Sequence, residues 1–297
     1  MSSVRTTIGV VTLPLLLLLQ GCVSARLAQF SGFSQAGVAY VKASGTFIDE
    51  AGSAAIRGDS ALLLKARPDL PQPERRERVS TANKLLAQRL LLLRQIKRHG
   101  QLLQDYFEVM GSMADSKAPE SLGAAAQGVY DSLAKLSSTL KDAKIGSSTV
   151  SDFIPSVVPI VVAPLKAKTL EKELRERGPL IERELALQEA MLAVVSQEIK
   201  TDLSVELNTQ VTQEVINPYV SAGEVPDDWA ARREEILSAT VASQSAGAAA
   251  QAANELRLGF QKLAANQFDS AALSSLIVDI NSILDLAEKI KPPNPGV

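Results

Sequence analysis

The sequence predicts an all-α fold, an elongated bundle of about six mostly long antiparallel helices, on three observations. Apolar residues recur at alternating spacings of three and four over most of the chain, the signature of a buried helix face. Aromatic residues make up only 4% of the chain while Ala, Leu, Ser and Gln abound. That composition suits close-packed helices and is poor for strands, which favour aromatic and β-branched side chains. Proline clusters fall between the periodic stretches, where helices must stop. Helices of the implied length span on the order of 50–60 Å, and short links between them favour antiparallel neighbours.

The first helix carries Leu27, Phe30, Ser34, Gly37, Val41, Ser44, Ile48, Ala51, Ala55, Gly58 and Leu62 along one seam. Its small residues would let a neighbouring helix come close. Pro68, Pro71 and Pro73 end it. A second helix, from residue 74 to about 113, aligns Val79, Ala82, Leu86, Leu93, Ile96, Leu103, Phe107 and Met110. The run from Leu90 to Leu93 wraps most of the way round and should touch several neighbours. Arg89 falls in the middle of this apolar face, so it should meet a carboxylate or snorkel outward.

A third, Ala-rich helix is expected over about 119–144, followed by a Gly-Ser break at 146–149 and an apolar segment at 153–165 with three prolines. The fourth helix, 166 to about 217, has Leu170, Leu174, Ile181, Leu185, Leu192, Val195, Ile199 and Leu203 in register. Gly178-Pro179 should kink or restart it, because proline removes a backbone donor. After a turn at 218–226, Asp227 or Asp228 caps a fifth helix running to about Gln267. Asp269 or Ser270 caps a sixth, with Leu273, Ile277, Ile280, Leu284 and Ala287 along one stripe. Gly123-Ala124-Ala125-Ala126-Gln127 recurs as Gly247-Ala248-Ala249-Ala250-Gln251; in an alanine-rich helical chain coincidence explains this better than duplication.

Ahead of the bundle, Arg5 and the amino terminus make a weakly positive start to an apolar stretch from Ile8 to Leu19. As a helix that stretch spans about 18 Å, short of the ~30 Å hydrocarbon core of a membrane. A positive start, a short apolar run and small residues at its end are the layout of a secretory signal. It closes on Leu19-Gln20-Gly21-Cys22, which resembles the lipobox of bacterial lipoproteins. The resemblance implies that residues 1–21 are removed, that the Cys22 thiol receives a diacylglycerol, and that its new amino group is acylated. The mature chain would then be held to a membrane from the periplasmic side. Cys22 is the only cysteine, so it has no intramolecular disulfide partner, and a thioether removes a lone thiol from an oxidising compartment. One acyl chain anchors only marginally, and several suffice. Val23 rather than Asp follows the cysteine; in the family's sorting pattern Asp there favours the inner membrane, so the resemblance points to the outer one. The expected organisation is a signal peptide at 1–21, a helical-bundle domain at 22–291 and a disordered Pro-rich tail at 292–297.

Charge and motifs narrow the function classes. Lys and Arg total 31 against 33 Asp and Glu, which lacks the positive excess that nucleic acid requires. His99 is the only histidine. That argues against ordinary zinc sites and the Glu-x-x-His pairs of di-iron bundles, and leaves imidazole catalysis a single candidate. Gly32-Phe33-Ser34-Gln35-Ala36 looks like a nucleophile elbow but lies in a helical seam, where an elbow needs a preceding strand. Ser132-Leu133-Ala134-Lys135 and Ser138-Thr139-Leu140-Lys141 match Ser-x-x-Lys without its companion motifs. No phosphate loop or dinucleotide fingerprint is present. The expectation is a non-catalytic structural or interaction component of the cell envelope, with no cofactor, metal or small-molecule substrate. Its partners would be a membrane, through the lipid anchor, and another envelope protein.

Two features go further. Lys84, Arg89, Arg94, Lys97 and Arg98 make the second helix basic, with no acidic residue between Glu77 and Asp105. They either pair with carboxylates such as Glu171, Glu176 or Glu182, or lie on an anionic surface. In residues 153–165, Phe153, Ile154, Val157, Val158, Ile160, Val161, Val162 and Leu165 leave Ser156 as the only polar side chain. That segment either packs on the bundle or forms a docking tip, for lipid or a partner, where the chain turns between the third and fourth helices.

Overall fold

The structure, a computed structural model, describes residues 13–115, 123–140, 144–145, 148–149, 170–221 and 223–291, with side chains from Ser24 onward except at 123–126, 130, 139, 144–145, 148–149 and 241–244. It is an all-α bundle. The long helices are α1 (Leu13–Ala66), α2 (Gln72–Asp115) and α4 (Leu170–Gln210), and the shorter ones are α3 (Gly123–Leu140), α6 (Trp229–Ser243), α7 (Ala248–Ala264) and α8 (Ser270–Ile290). A π-helical turn at Val211–Ile216 carries α4 into the single turn α5 (Asn217–Val220). At 1.5 Å per residue, α1, α2 and α4 are each about 60 Å or longer.

Helix α1 is the central element and touches α2, α4, α7 and α8. Its expected seam is buried apart from Leu27 and Leu62, and a second stripe of Phe33, Ala36, Tyr40, Ala43, Phe47 and Ala54 is buried beside it. A helix packed on several sides buries more than one stripe. The small residues let neighbours approach as expected. A Cβ on Gly58 would lie 3.0 Å from the Asp202 carbonyl oxygen of α4, and one on Gly37 only 2.6 Å from the Phe107 ring of α2.

Helix direction follows from which residues meet. Gly37 faces Phe107 and Gly52 faces Leu90, so α1 and α2 run antiparallel. Arg26 meets Glu171 and Arg57 meets Glu206, so α1 and α4 run parallel. Gln127 meets Arg177 and Ser137 meets Glu184, so α3 and α4 are also parallel. The end of α3 at Leu140 therefore lies about 25 Å along the bundle from the start of α4 at Leu170. Residues 153–165, including all eight apolar side chains named above, lie outside the described residues.

Other differences from expectation are local. Helix α4 continues through Gly178-Pro179 without restarting; Pro179 is exposed, on the side away from the core. The fifth helix is divided by a 3-10 turn at Gln244–Gly247 into α6 and α7. Lys144–Ile145 and Ser148–Thr149 form a two-residue antiparallel ladder, too short for alternation to reveal. In α8 the buried stripe is Leu276, Ile280, Ile283, Ala287 and Ile290, while Ile277 and Leu284 are exposed. Its cap is as expected: the Asp269 carboxylate accepts from the Ala272 N–H at 2.8 Å.

The α7–α8 link shows how sequence sets a turn. Asn266 adopts φ 58°, the left-handed region Asn tolerates better than most residues. The Gln267 N–H reaches back to the Lys262 carbonyl and the Asn266 N–H to the Leu263 carbonyl, which satisfies the helix end as a Schellman motif. The turn delivers Phe268 into an aromatic cluster. There Phe33 meets Phe107, Phe260 and Phe268 at ring-centroid distances of 5.8, 5.9 and 5.3 Å.

Candidate interaction surface

The only histidine is fully buried. His99 Nε2 lies 3.1 Å from Glu184 Oε2, and Nδ1 lies 2.9 Å from the Gln188 amide oxygen. The same Glu184 oxygen takes the Ser137 hydroxyl, while Arg183 donates to Oε1. Burial alone would raise the pKa of the Glu184 carboxyl. Its hydrogen bond with His99 and the attraction of that ring, with the bonds from Ser137 and Arg183, outweigh burial and hold it below its ordinary value. Two turns earlier on α4, Arg177 is fully buried between Glu173 and the Gln127 amide oxygen. Burial and the nearby Glu173 push the Tyr106 hydroxyl's pKa well above its usual value, against the lowering by Arg177.

Glu173, Arg177, Glu184 and Gln188 form a polar stripe on α4, facing α2 and α3. Sequence reasoning missed it because charged residues on a helix read as a solvated face, and nothing in the spacing marks α4 as buried on nearly all sides. The stripe joins elements: Ser137, His99 and Glu184 are all buried, and both imidazole nitrogens are engaged.

Other motif residues are spent on helix packing or on their own helices. Ser34 is buried against Gly111. The Ser132 hydroxyl donates to the Gly128 carbonyl and that of Ser138 to the Lys135 carbonyl. Among the described residues no group of three His, Cys, Asp or Glu side chains is placed to hold a metal ion. Cys22 lies on α1, with its side chain outside the described residues.

Arg89 behaves as the sequence requires. Its guanidinium grips Asp202 with both terminal nitrogens, Nη1 at 3.1 Å from Oδ1, and has Glu198 at 3.8 Å. Lys97 pairs with Asp49. The carboxylates expected to face the basic helix have other partners: Glu171 meets Arg26, Glu176 meets Lys172, and Glu182 accepts from Gln261. Arg94, Arg98 and Lys84 stay exposed.

Two grooves with room for a ligand are lined mainly by α1 and α2. A groove of about 940 Å³ runs between the end of α1 (Ala55, Leu62, Leu63), the first half of α2 (Leu85, Leu86) and Glu198 of α4. A second, of about 780 Å³, lies nearer the middle of α2, floored by Ile48, Leu93 and Leu136 and rimmed by Arg94 and Arg98. Sequence reasoning did not find this surface, because exposed leucines on a helix look like core positions until a neighbour is seen to be missing.

No protein-family model, curated protein or solved structure matches this chain.

Proposed function

We propose that this chain is a lipid-anchored scaffold of the cell envelope, tethered through Cys22 to the periplasmic side of the outer membrane. It acts without catalysis, by presenting the α1–α2 groove to a partner protein. One observation carries the reading: the helix that bears Cys22 is also the central helix of the bundle. Only three residues separate Cys22 from Arg26, which is fixed by the Glu171 carboxylate at 2.8 Å and the Leu263 carbonyl at 2.7 Å. Three residues extend at most about 10 Å, so an anchor there would hold the end of a rigid body against the membrane. Ala55, at the near edge of the groove, would then stand about 50 Å from the anchor along α1. Cys22→Ser is expected to leave the chain at its precursor mass and without acyl label. Normal processing and labelling of that variant would contradict the proposal.

A second reading makes the chain membrane-active through residues 153–165. It is favoured by Glu171, whose bond to Arg26 puts the start of α4 at the end of the bundle nearest Cys22. Replacing Val158, Ile160 and Val161 together by Ser should then abolish liposome binding with little change in stability. A fall of several kcal/mol, the scale of losing buried aliphatic side chains, in a protein whose parent never binds liposomes would sink this reading.

A further inference from the structure

We propose that the partner in the α1–α2 groove is a second copy of this chain, with the two α2 helices packed antiparallel about a two-fold axis. The inference rests on the groove being an interaction site, as argued above, but not on the lipid anchor.

The first half of α2 needs a partner. No residue of α2 before Leu92 is buried, whereas a helical stretch of this length gains most of its stability from a packed face. Leu62, Leu85 and Leu91 stand 47, 62 and 56% exposed around it. Uncovered leucines at such density mark an interface.

Charge selects the occupant. In the groove the Arg89–Asp202 pair is internally neutral, and Asp59, Glu74, Glu77 and Glu198 outnumber Arg78. An apolar segment bearing cations fits such a site. The same helix supplies one further along its exposed side: Lys84, Leu91, Arg94 and Arg98 all face outward. An antiparallel pairing centred near Leu86 sets Arg98 against Glu74 and places Arg94 between Glu77 and Arg78, in both directions at once. The same register drops Leu91 beside Thr81 and Ala82, where the groove wall is small. This mutual fit is what a two-fold interface requires, since each contact occurs twice. A basic helix docking on anionic lipid would use the cations but leave the acidic groove and its leucines open.

The test is the native mass of the full-length chain extracted in mild detergent. The wild type is expected to be a dimer that weakens as salt rises. Arg94→Glu with Arg98→Glu should weaken association roughly tenfold or more, as should Glu74→Arg with Glu77→Arg, because each sets like charges together. Combining all four substitutions should restore the dimer. A monomeric wild type, a dimer indifferent to either reversal, or a failure of the combined variant to recover would overturn the inference. Membrane anchoring is read separately by acyl labelling, so a labelled monomer defeats the dimer and leaves the tether standing.

Discussion

Replacing Glu184 by Ala is expected to lower stability by about 3–5 kcal/mol, the usual cost of removing one member of a buried charged pair. The carboxylate is the hub of three elements, taking His99 from α2, Ser137 from α3 and Arg183 from its own helix. Deleting it takes one partner from the buried imidazole, one from the buried Ser137 hydroxyl and the carboxylate from Arg183, and lost hydrogen bonds to a buried charged group are costly. Denaturant unfolding at neutral pH reads the loss; a change below about 1 kcal/mol would mean that the hub is not coupled to folding. The same group predicts a pH dependence. Its folded pKa lies below the ordinary carboxylate value of 4.5, so its contribution is complete above that value. It is lost as pH falls from there through the depressed folded pKa. Glu184→Gln, which cannot ionise, should be less stable than wild type at neutral pH and should lose less stability on acidification.

Phe33→Ala is expected to cost about 3–5 kcal/mol, in the range for emptying a large aromatic from a core. Phe33 is fully buried and is the one ring that meets Phe107 of α2, Phe260 of α7 and Phe268 of the α7–α8 turn. The α7 backbone already packs closely there, since a Cβ placed on Gly259 would lie 3.2 Å from that ring, so little slack remains for the cavity to close. Thermal unfolding checks this. A midpoint within a degree or two of wild type would show that the cluster relaxes to fill the space.

Legibility of the sequence differed from helix to helix. On α4 every residue of the expected stripe from Leu170 to Leu203 is buried, because a single strong period repeats there without interruption. On α8 the phase was off by one position: Leu276, Ile277, Ile280, Ile283 and Leu284 support two overlapping stripes, and only the position of α1 and α7 decides between them. The break between α6 and α7 was hidden because alanines on both sides of Gly247 continue the helical pattern. Gly247 is the N-cap residue of α7.

The candidate site was less legible than the fold. Arg89 could be assigned a carboxylate because a guanidinium in an apolar face needs one, but Asp202 could not be named without knowing how α2 and α4 align. The groove depends on packing that spacing does not show: α1 and α4 meet the first half of α2 on one side, and Leu85 and Leu91 stay exposed. The expected lipid attachment, by contrast, is a feature of residues 1–22 alone and depends on nothing in the fold.

In this reading a rigid helical body is fastened to the membrane through Cys22, the residue with which the processed chain and its central helix would begin. The intact mass of the mature amino terminus, taken from the protein's own envelope, tests this most directly. The account predicts a chain that begins at Cys22 and carries acyl chains on its thiol and amino group. An unmodified chain beginning at any other residue would contradict it.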